Sequence, residues 1–248
     1  AVLTVSQNMA SVPTYTGSTE TYYLTAVGFV GQDITNNAKA YVQVKDVMGL
    51  ESTTAVLAEN FISTNYEFTQ NIYFKINPKQ TSVSQSGTYT YDGTAQTIAL
   101  KVDERIGDDD IVATIAKITN AGTTIPVFTV TGADAGNYEI TNVENKVEVT
   151  VNQKQVSVIQ SGTYTYDGTA QTITLVVDGR CGDDDIVATI AKITNAGTTT
   201  PVFTISGADK NNYEITNVDN QVSVTINKAP LTVSQNMASV PTYTGSTE

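Results

Sequence analysis

The chain has 248 residues, 25 acidic against 13 basic side chains, a formal net charge of −12, no His, no Trp and one Cys. Without His, no side chain titrates ordinarily between about pH 5 and 8, which excludes His-based acid–base, triad and zinc chemistry, and one Cys excludes a disulfide framework or a Cys-held cluster. An acidic chain with no basic cluster is a poor partner for nucleic acid or anionic membrane, and no apolar run is long enough to cross a bilayer.

In chain order, the residues 1–77 end in a closing strand, 72–77, and carry the turn Thr14-Tyr15-Thr16-Gly17. The next 75 residues read as short β-branched strands separated by Gly, Asp and Asn. Strands are predicted at 81–85, 88–91 and 96–102. Alternation puts Tyr89 and Tyr91 on one face of the second and Ile98, Leu100 and Val102 on one face of the third. Asp92-Gly93 is a tight turn in which Gly supplies positive φ. An acidic loop, 107–110, leads into 111–119, the one stretch with helical potential; its Val, Ile and Thr content and short length favour a strand. Asn120-Ala121-Gly122 turns the chain, and 126–131, 138–141 and 146–151 complete the set.

The same text then recurs. GTYTYDGTAQTI starts at Gly87 and Gly162, GDDDIVATIAKITNAGTT at Gly107 and Gly182, and NYEITNV at Asn137 and Asn212, always 75 residues apart. Residues 79–152 and 154–227 agree at about four positions in five without a gap. Residues 1–77 are a diverged copy: Tyr15-Thr16-Gly17 matches Tyr91-Asp92-Gly93, Asn65-Tyr66 matches Asn137-Tyr138, and Gly31-Gln32-Asp33 matches Gly107-Asp108-Asp109. Residues 231–248 repeat 3–20 letter for letter. The expected division is 1–77, 78–152, 153–228, and 229–248 as the start of a fourth unit. The opening residues lack a signal peptide, so any export signal is expected outside this stretch.

The expected class is all-β: a tandem array of small antiparallel β-sandwich, Ig-like units, with a β-grasp-like unit as the alternative if 111–119 were helical. Units of this size are marginal alone and gain from stacked neighbours. Junctions of a few residues without Gly/Ser runs, two containing Pro, lead to the expectation of a stiff, elongated rod.

The succession TYDGTAQT, GDD, NAGT, TGADAGNYEIT, VTVNQK and VTINKAPLTV resembles the YDG/MBG-type repeats of large bacterial surface adhesins. The resemblance covers nearly all of 78–228 and weakens in 1–77, where Tyr15-Thr16-Gly17 lacks the Asp and NAGT is missing. It implies an exported, cell-surface or secreted array in which most repeats act as spacers. The expected partners are neighbouring repeats or other copies of the chain, with host glycans for a lectin-like alternative and with strand addition by 231–248 as a route to polymers.

Asp108, Asp109 and Asp110, with Asp183, Asp184 and Asp185, are candidate calcium ligands because hard cations take carboxylate and loop carbonyl oxygens; the competing reading is a solvated acidic loop. Tyr138 and Tyr213 are read as corner residues whose hydroxyls bond nearby backbone. Tyr15, Tyr91 and Tyr166, just before their turns, are candidates for a sugar-stacking platform. Cys181 replaces Ile106 and is read as a buried thiol. Lys117 and Lys192 with Asn142, Asn217, Asn152 or Asn227 raise a Lys–Asn isopeptide staple. No cofactor is expected beyond calcium, and two small sandwiches offer no cleft for an enzyme.

Overall fold

A computed structural model describes residues 2–7, 9–28, 30, 39–54, 56–57, 67–68, 71–234 and 245. The chain is all-β; among the described residues the helical turns are three-residue 3-10 turns, and no helix is long and apolar enough to cross a membrane. It forms two compact units, one of residues 1–90 with 94–152, the other of residues 91–93 with 153–248. Gly31, Gln32, Asp33, Asn65, Tyr66 and residues 235–244 and 246–248 lie outside the described residues.

In the first unit, residues 1–77 contribute β1 (Val2–Ser6), β2 (Glu20–Val27), β3 (Lys39–Val44), β4 (Met48–Thr54), β5 (Val56–Leu57), β6 (Glu67–Phe68) and β7 (Asn71–Ile76). Five make one sheet in the order β5-β3-β2-β1-β6, and β4 pairs with β7. β1 runs antiparallel to β2 and parallel to β6.

The same unit continues with β8 (Lys79–Thr81), β9 (Val83–Gln85), β10 (Tyr89–Thr90), β11 (Leu100–Val102), β12 (Val112–Thr114), β13 (Gly122–Thr124), β14 (Thr129–Thr131), β15 (Tyr138–Ile140) and β16 (Val149–Asn152). The pairing logic is that of 1–77. The opening strand, here broken into β8 and β9, runs parallel to β15 and antiparallel to β11. The closing strand β16 is antiparallel to β13 and parallel to β10. The strands are shorter than predicted because several predicted ends make one bridge only, as at Gln96 with Ile118 and Val127 with Lys146. The helical alternative for 111–119 is corrected: the stretch gives β12 and then the Ile118 bridge. Ile111 and Ala113 point inward and Val112 outward, a period of two that a helix cannot produce.

The second unit holds β17 (Lys154–Gln160), β18 (Tyr164–Thr165), β19 (Leu175–Asp178), β20 (Val187–Thr189), β21 (Gly197–Thr199), β22 (Thr204–Ser206), β23 (Tyr213–Ile215) and β24 (Val224–Asn227). β17 is central, antiparallel to β19 and parallel to β23. β24 sits between β18 and β21.

Cores follow the alternation. Val83, Ile98, Phe128, Val147, Val149 and Val151 are buried in one segment, and Val158, Ile173, Phe203, Val222, Val224 and Ile226 at matching places in the next. In the first unit one cluster joins Val5, Leu24, Val42, Ile72, Phe74 and Ile76 to Ile111 and Tyr138 of the following segment through Tyr15. Residues 1–77 therefore share interior with their successor, with Tyr15 among the residues that join them.

Side chains also complete the sheets. Gln85 Nε2 donates to the carbonyl of Thr150 at 3.2 Å and its Oε1 accepts from Thr150 N–H at 2.7 Å. Gln160 does the same to Thr225, and Gln7 to Lys75. In each case one amide side chain pairs with both backbone groups of a single residue, as another strand would.

Candidate functional site

The residues brought together most consistently are a tyrosine before a glycine turn, an aspartate of the acidic loop and the tyrosine of the Asn-Tyr element. The turn Tyr15-Thr16-Gly17 is held by Tyr15 N–H donating to the Asn77 carbonyl at 2.9 Å. This aims the ring at the loop before β12. There the Tyr15 hydroxyl donates to Asp109 Oδ2 at 2.9 Å and the Tyr138 hydroxyl donates to the same oxygen at 2.6 Å. The Tyr138 hydroxyl also accepts from Ile106 N–H at 2.9 Å. The rings meet edge to face with centroids 5.7 Å apart, a favoured aromatic geometry.

The arrangement recurs inside the second unit. Tyr91 donates to Asp184 Oδ2 at 2.6 Å, Tyr213 donates to the same atom, and Cys181 N–H donates to the Tyr213 hydroxyl at 2.8 Å. The Tyr91 and Tyr213 rings meet edge to face at 5.4 Å. Tyr15 is 3% exposed and Tyr91 4%.

The turn glycines complete the fit. A Cβ on Gly17 would lie 2.4 Å from Ile106 Cγ2, and one on Gly93 2.9 Å from Cys181 Cβ. The residue two before the loop's first Asp therefore packs on the glycine of the incoming turn. Cys181 is corrected from a buried thiol to a half-buried one: it packs its Cβ here while Lys154 Nζ donates to its Sγ at 3.4 Å.

Burial, and next the bond to the anionic Asp109, push the Tyr15 phenol well above its ordinary range. The same causes raise Tyr138 to about 12, with the Ile106 N–H opposing. Tyr91 rises to about 12 through burial and Asp184, and Tyr213 rises for the same reasons. Each ring is thus a protonated donor, and each Asp an acceptor of charge-assisted bonds.

The flanking aspartates have separate duties. Asp110 N–H donates to Asp134 Oδ2 at 2.8 Å, and Asp110 Oδ2 accepts from Ala133 N–H at 3.0 Å. Asp185 repeats this with Asp209 and Ala208. Gly132 is required beside them, since a Cβ there would stand 2.1 Å from the Asp110 carbonyl oxygen. Asp108 and Asp183 are exposed. Of the calcium candidates, Asp109, Asp110, Asp184 and Asp185 therefore hold protein donors, and among the described residues no three acidic, Cys or His side chains are grouped to hold a metal.

Tyr138 and Tyr213 are corner residues bonded to nearby backbone, as the sequence indicates. Asn137 is buried, taking Val47 N–H on Oδ1 at 2.7 Å and donating to Asp46 Oδ1 at 3.1 Å. Asn142 spends its amide on both backbone groups of Val83 and on the Lys146 carbonyl, while Lys117 and Lys192 are exposed. Tyr15 and Tyr91 are turned inward, and of the three pre-turn tyrosines Tyr166 remains open at 40% exposure. The Gln clamps at Gln7, Gln85 and Gln160 are not legible in the sequence, which does not show that each partner strand lies 65 or 68 residues away.

Comparison with family models, with curated proteins and with solved structures finds no match.

Proposed function

We propose that the chain is a structural segment of a long extracellular bacterial fibre or adhesin stalk, built from tandem β-sandwich, Ig-like domains that supply reach and mechanical continuity. The observation that carries this reading is the recurring junction: Tyr15 on Asp109 and Tyr138, and Tyr91 on Asp184 and Tyr213. Tyr15 and Tyr91 each hold their own segment's turn against groups encoded in the next segment. Such residues transmit load through buried hydrogen bonds and ring packing rather than through a substrate pocket. An acidic surface, net −12, keeps neighbouring chains apart in solution.

Small-angle scattering of the 248-residue chain tests the reading. A stalk segment gives a maximum dimension several times its cross-section. A profile fitted by a single compact body of comparable axes overturns it. The lectin-like alternative is separated by glycan-array binding: a stalk gives a blank array, and a defined glycan class bound by the chain favours the alternative.

A further inference from the structure

The turn Tyr166-Asp167-Gly168 is built like the two seated turns but is not seated. Tyr166 N–H donates to the Asn227 carbonyl at 2.9 Å, as Tyr15 N–H does to Asn77. Gly168 has φ +82°, against +81° at Gly17 and +82° at Gly93. Asp167 Oδ1 accepts from the Thr169 N–H and hydroxyl, both at 2.8 Å, and Gln171 Nε2 donates to the Thr165 carbonyl at 2.7 Å. The backbone is thus preformed.

What differs is the surroundings. Tyr166 is 40% exposed where Tyr15 and Tyr91 are nearly closed off. Nothing lies within 4 Å of a Cβ on Gly168, where Gly17 and Gly93 meet Ile106 and Cys181. Glycine there is needed for its φ by the turn, and the empty space above it has no use within the described residues.

We infer that Tyr166-Asp167-Gly168 is a docking plug, and that its partner is a further domain of this repeat build following in the chain. That domain receives the plug in the socket seen at Asp184, Tyr213 and Cys181. Three observations select this occupant. The socket chemistry appears twice, each time filled by this turn type. The plug's phenol and bare glycine match a carboxylate and the Ile or Cys side chain at the spacing those sockets have. The sequence from 231 to 248 repeats 3–20, so the residues after β24 restart the same text. The inference rests on the tandem reading above and adds which atoms join successive domains. Tethering places plug and socket at high effective concentration, so the contact forms within a chain in preference to between chains.

The test compares tyrosine nitration, mapped by peptide mass, in two chains. One is the 248-residue chain. The other carries a second copy of residues 153–227 inserted after Asn227, which reproduces the Asn-Gln junction found at Asn152-Gln153. In the 248-residue chain Tyr166 is expected to nitrate at least about tenfold faster than Tyr15 and Tyr91. In the longer chain it is expected to slow to the Tyr91 rate, while the inserted copy's own pre-turn tyrosine takes over as the reactive one. Replacing the inserted counterpart of Asp184 by Ala restores Tyr166 reactivity. The inference is overturned if Tyr166 is already as protected as Tyr91 in the 248-residue chain, or if it stays reactive beside an inserted copy that resists protease. Protection of Tyr166 in the 248-residue chain that grows with protein concentration makes the occupant a second molecule and also overturns it. A failed docking with all copies folded leaves the stalk reading standing on freely hinged domains, whereas a compact scattering profile removes the stalk reading without touching the nitration result.

Discussion

Tyr15 and Asp109 stand 94 residues apart in the chain and 2.9 Å apart in the fold. The bond is charge-assisted, and Tyr138 donates to the same oxygen. Truncating the ring and removing the hydroxyl are therefore separable experiments. Tyr15→Phe keeps the edge-to-face packing and leaves Asp109 one donor, so a loss of about 1–2 kcal/mol is expected. Tyr15→Ala removes a ring from the cluster of Phe74, Ile76, Ile111 and Tyr138 and is expected to cost about 3–5 kcal/mol. Urea unfolding of the first unit's signal measures both. Asp109→Ala leaves two phenols without their acceptor, and in a double-mutant cycle with Tyr15→Phe the costs are expected to fall short of additive. Full additivity would show that the pair does not interact.

Much of this was legible in the sequence, and the failures have physical causes. Turn glycines and alternating apolar residues follow local rules, so the turn at Gly93 and the shared face of Ile98, Leu100 and Val102, buried or half-buried, follow from spacing alone. The corner role of Tyr138 is likewise local, since its backbone partner Ile106 is in the same segment. Asp109 was read as a calcium ligand or a solvated acid because a run of three aspartates offers the same oxygens to a cation, to water or to a phenol. Only the arrival of a ring from another segment decides among them. The Gln85 clamp was invisible for a similar reason: its partner is 65 residues away, and a glutamine on a short strand carries no periodic signal.

Alkaline pH provides a second expectation. Tyr91 and Tyr138 have folded pKa values of about 12 against an ordinary 10.0. The folded chain then holds these protons more tightly than the unfolded chain. Their contribution to stability is complete below pH 10, declines as pH rises, and is spent above about pH 12. Phenolate absorbance should show a late fraction, Tyr91 and Tyr138 included, ionising above the ordinary tyrosine range. Chemical denaturation midpoints should fall across the same window. The Tyr91→Phe variant should show a shallower decline, and an unchanged slope would mean that Tyr91 does not titrate in the folded chain as its burial requires.

Gly132 and Gly136 make opposite expectations from two neighbouring glycines. Gly132 has φ +124°, and a Cβ there would stand 2.1 Å from a backbone oxygen that cannot swing aside. Gly132→Ala is expected to lose more than about 2 kcal/mol, as is Gly207→Ala, which meets the Asp185 carbonyl oxygen at 2.1 Å. Gly136 has open space around it, and the matching position in the following segment is already Asn211. Gly136→Ala is expected to be neutral or to stabilise by up to about 1 kcal/mol through the unfolded chain's entropy. Thermal unfolding of the three variants ranks them, and a Gly132→Ala protein as stable as Gly136→Ala would refute the close approach.

The glutamine clamps allow the most specific substitution. Gln85 Oε1 accepts from Thr150 N–H while Nε2 donates to the Thr150 carbonyl and to the Gly87 carbonyl at 3.0 Å. Gln85→Glu keeps size and the acceptor but replaces a donor facing two carbonyl oxygens with a second negative oxygen. It is expected to cost more than Gln85→Met, which leaves the strand groups unpaired without adding repulsion; the latter should lose about 1–3 kcal/mol. Because the repulsion depends on ionisation, the Glu variant should recover stability as pH falls below about 4, where a carboxyl regains a proton and can donate once. Gln160→Glu at the matching clamp should behave alike, since its partners at Thr225 and Gly162 are the same groups. Denaturation at neutral and acid pH separates the two substitutions: a Glu variant with no acid recovery relative to the Met variant would mean that the side chain has left the strand, and that the clamp does not join β9 to β16.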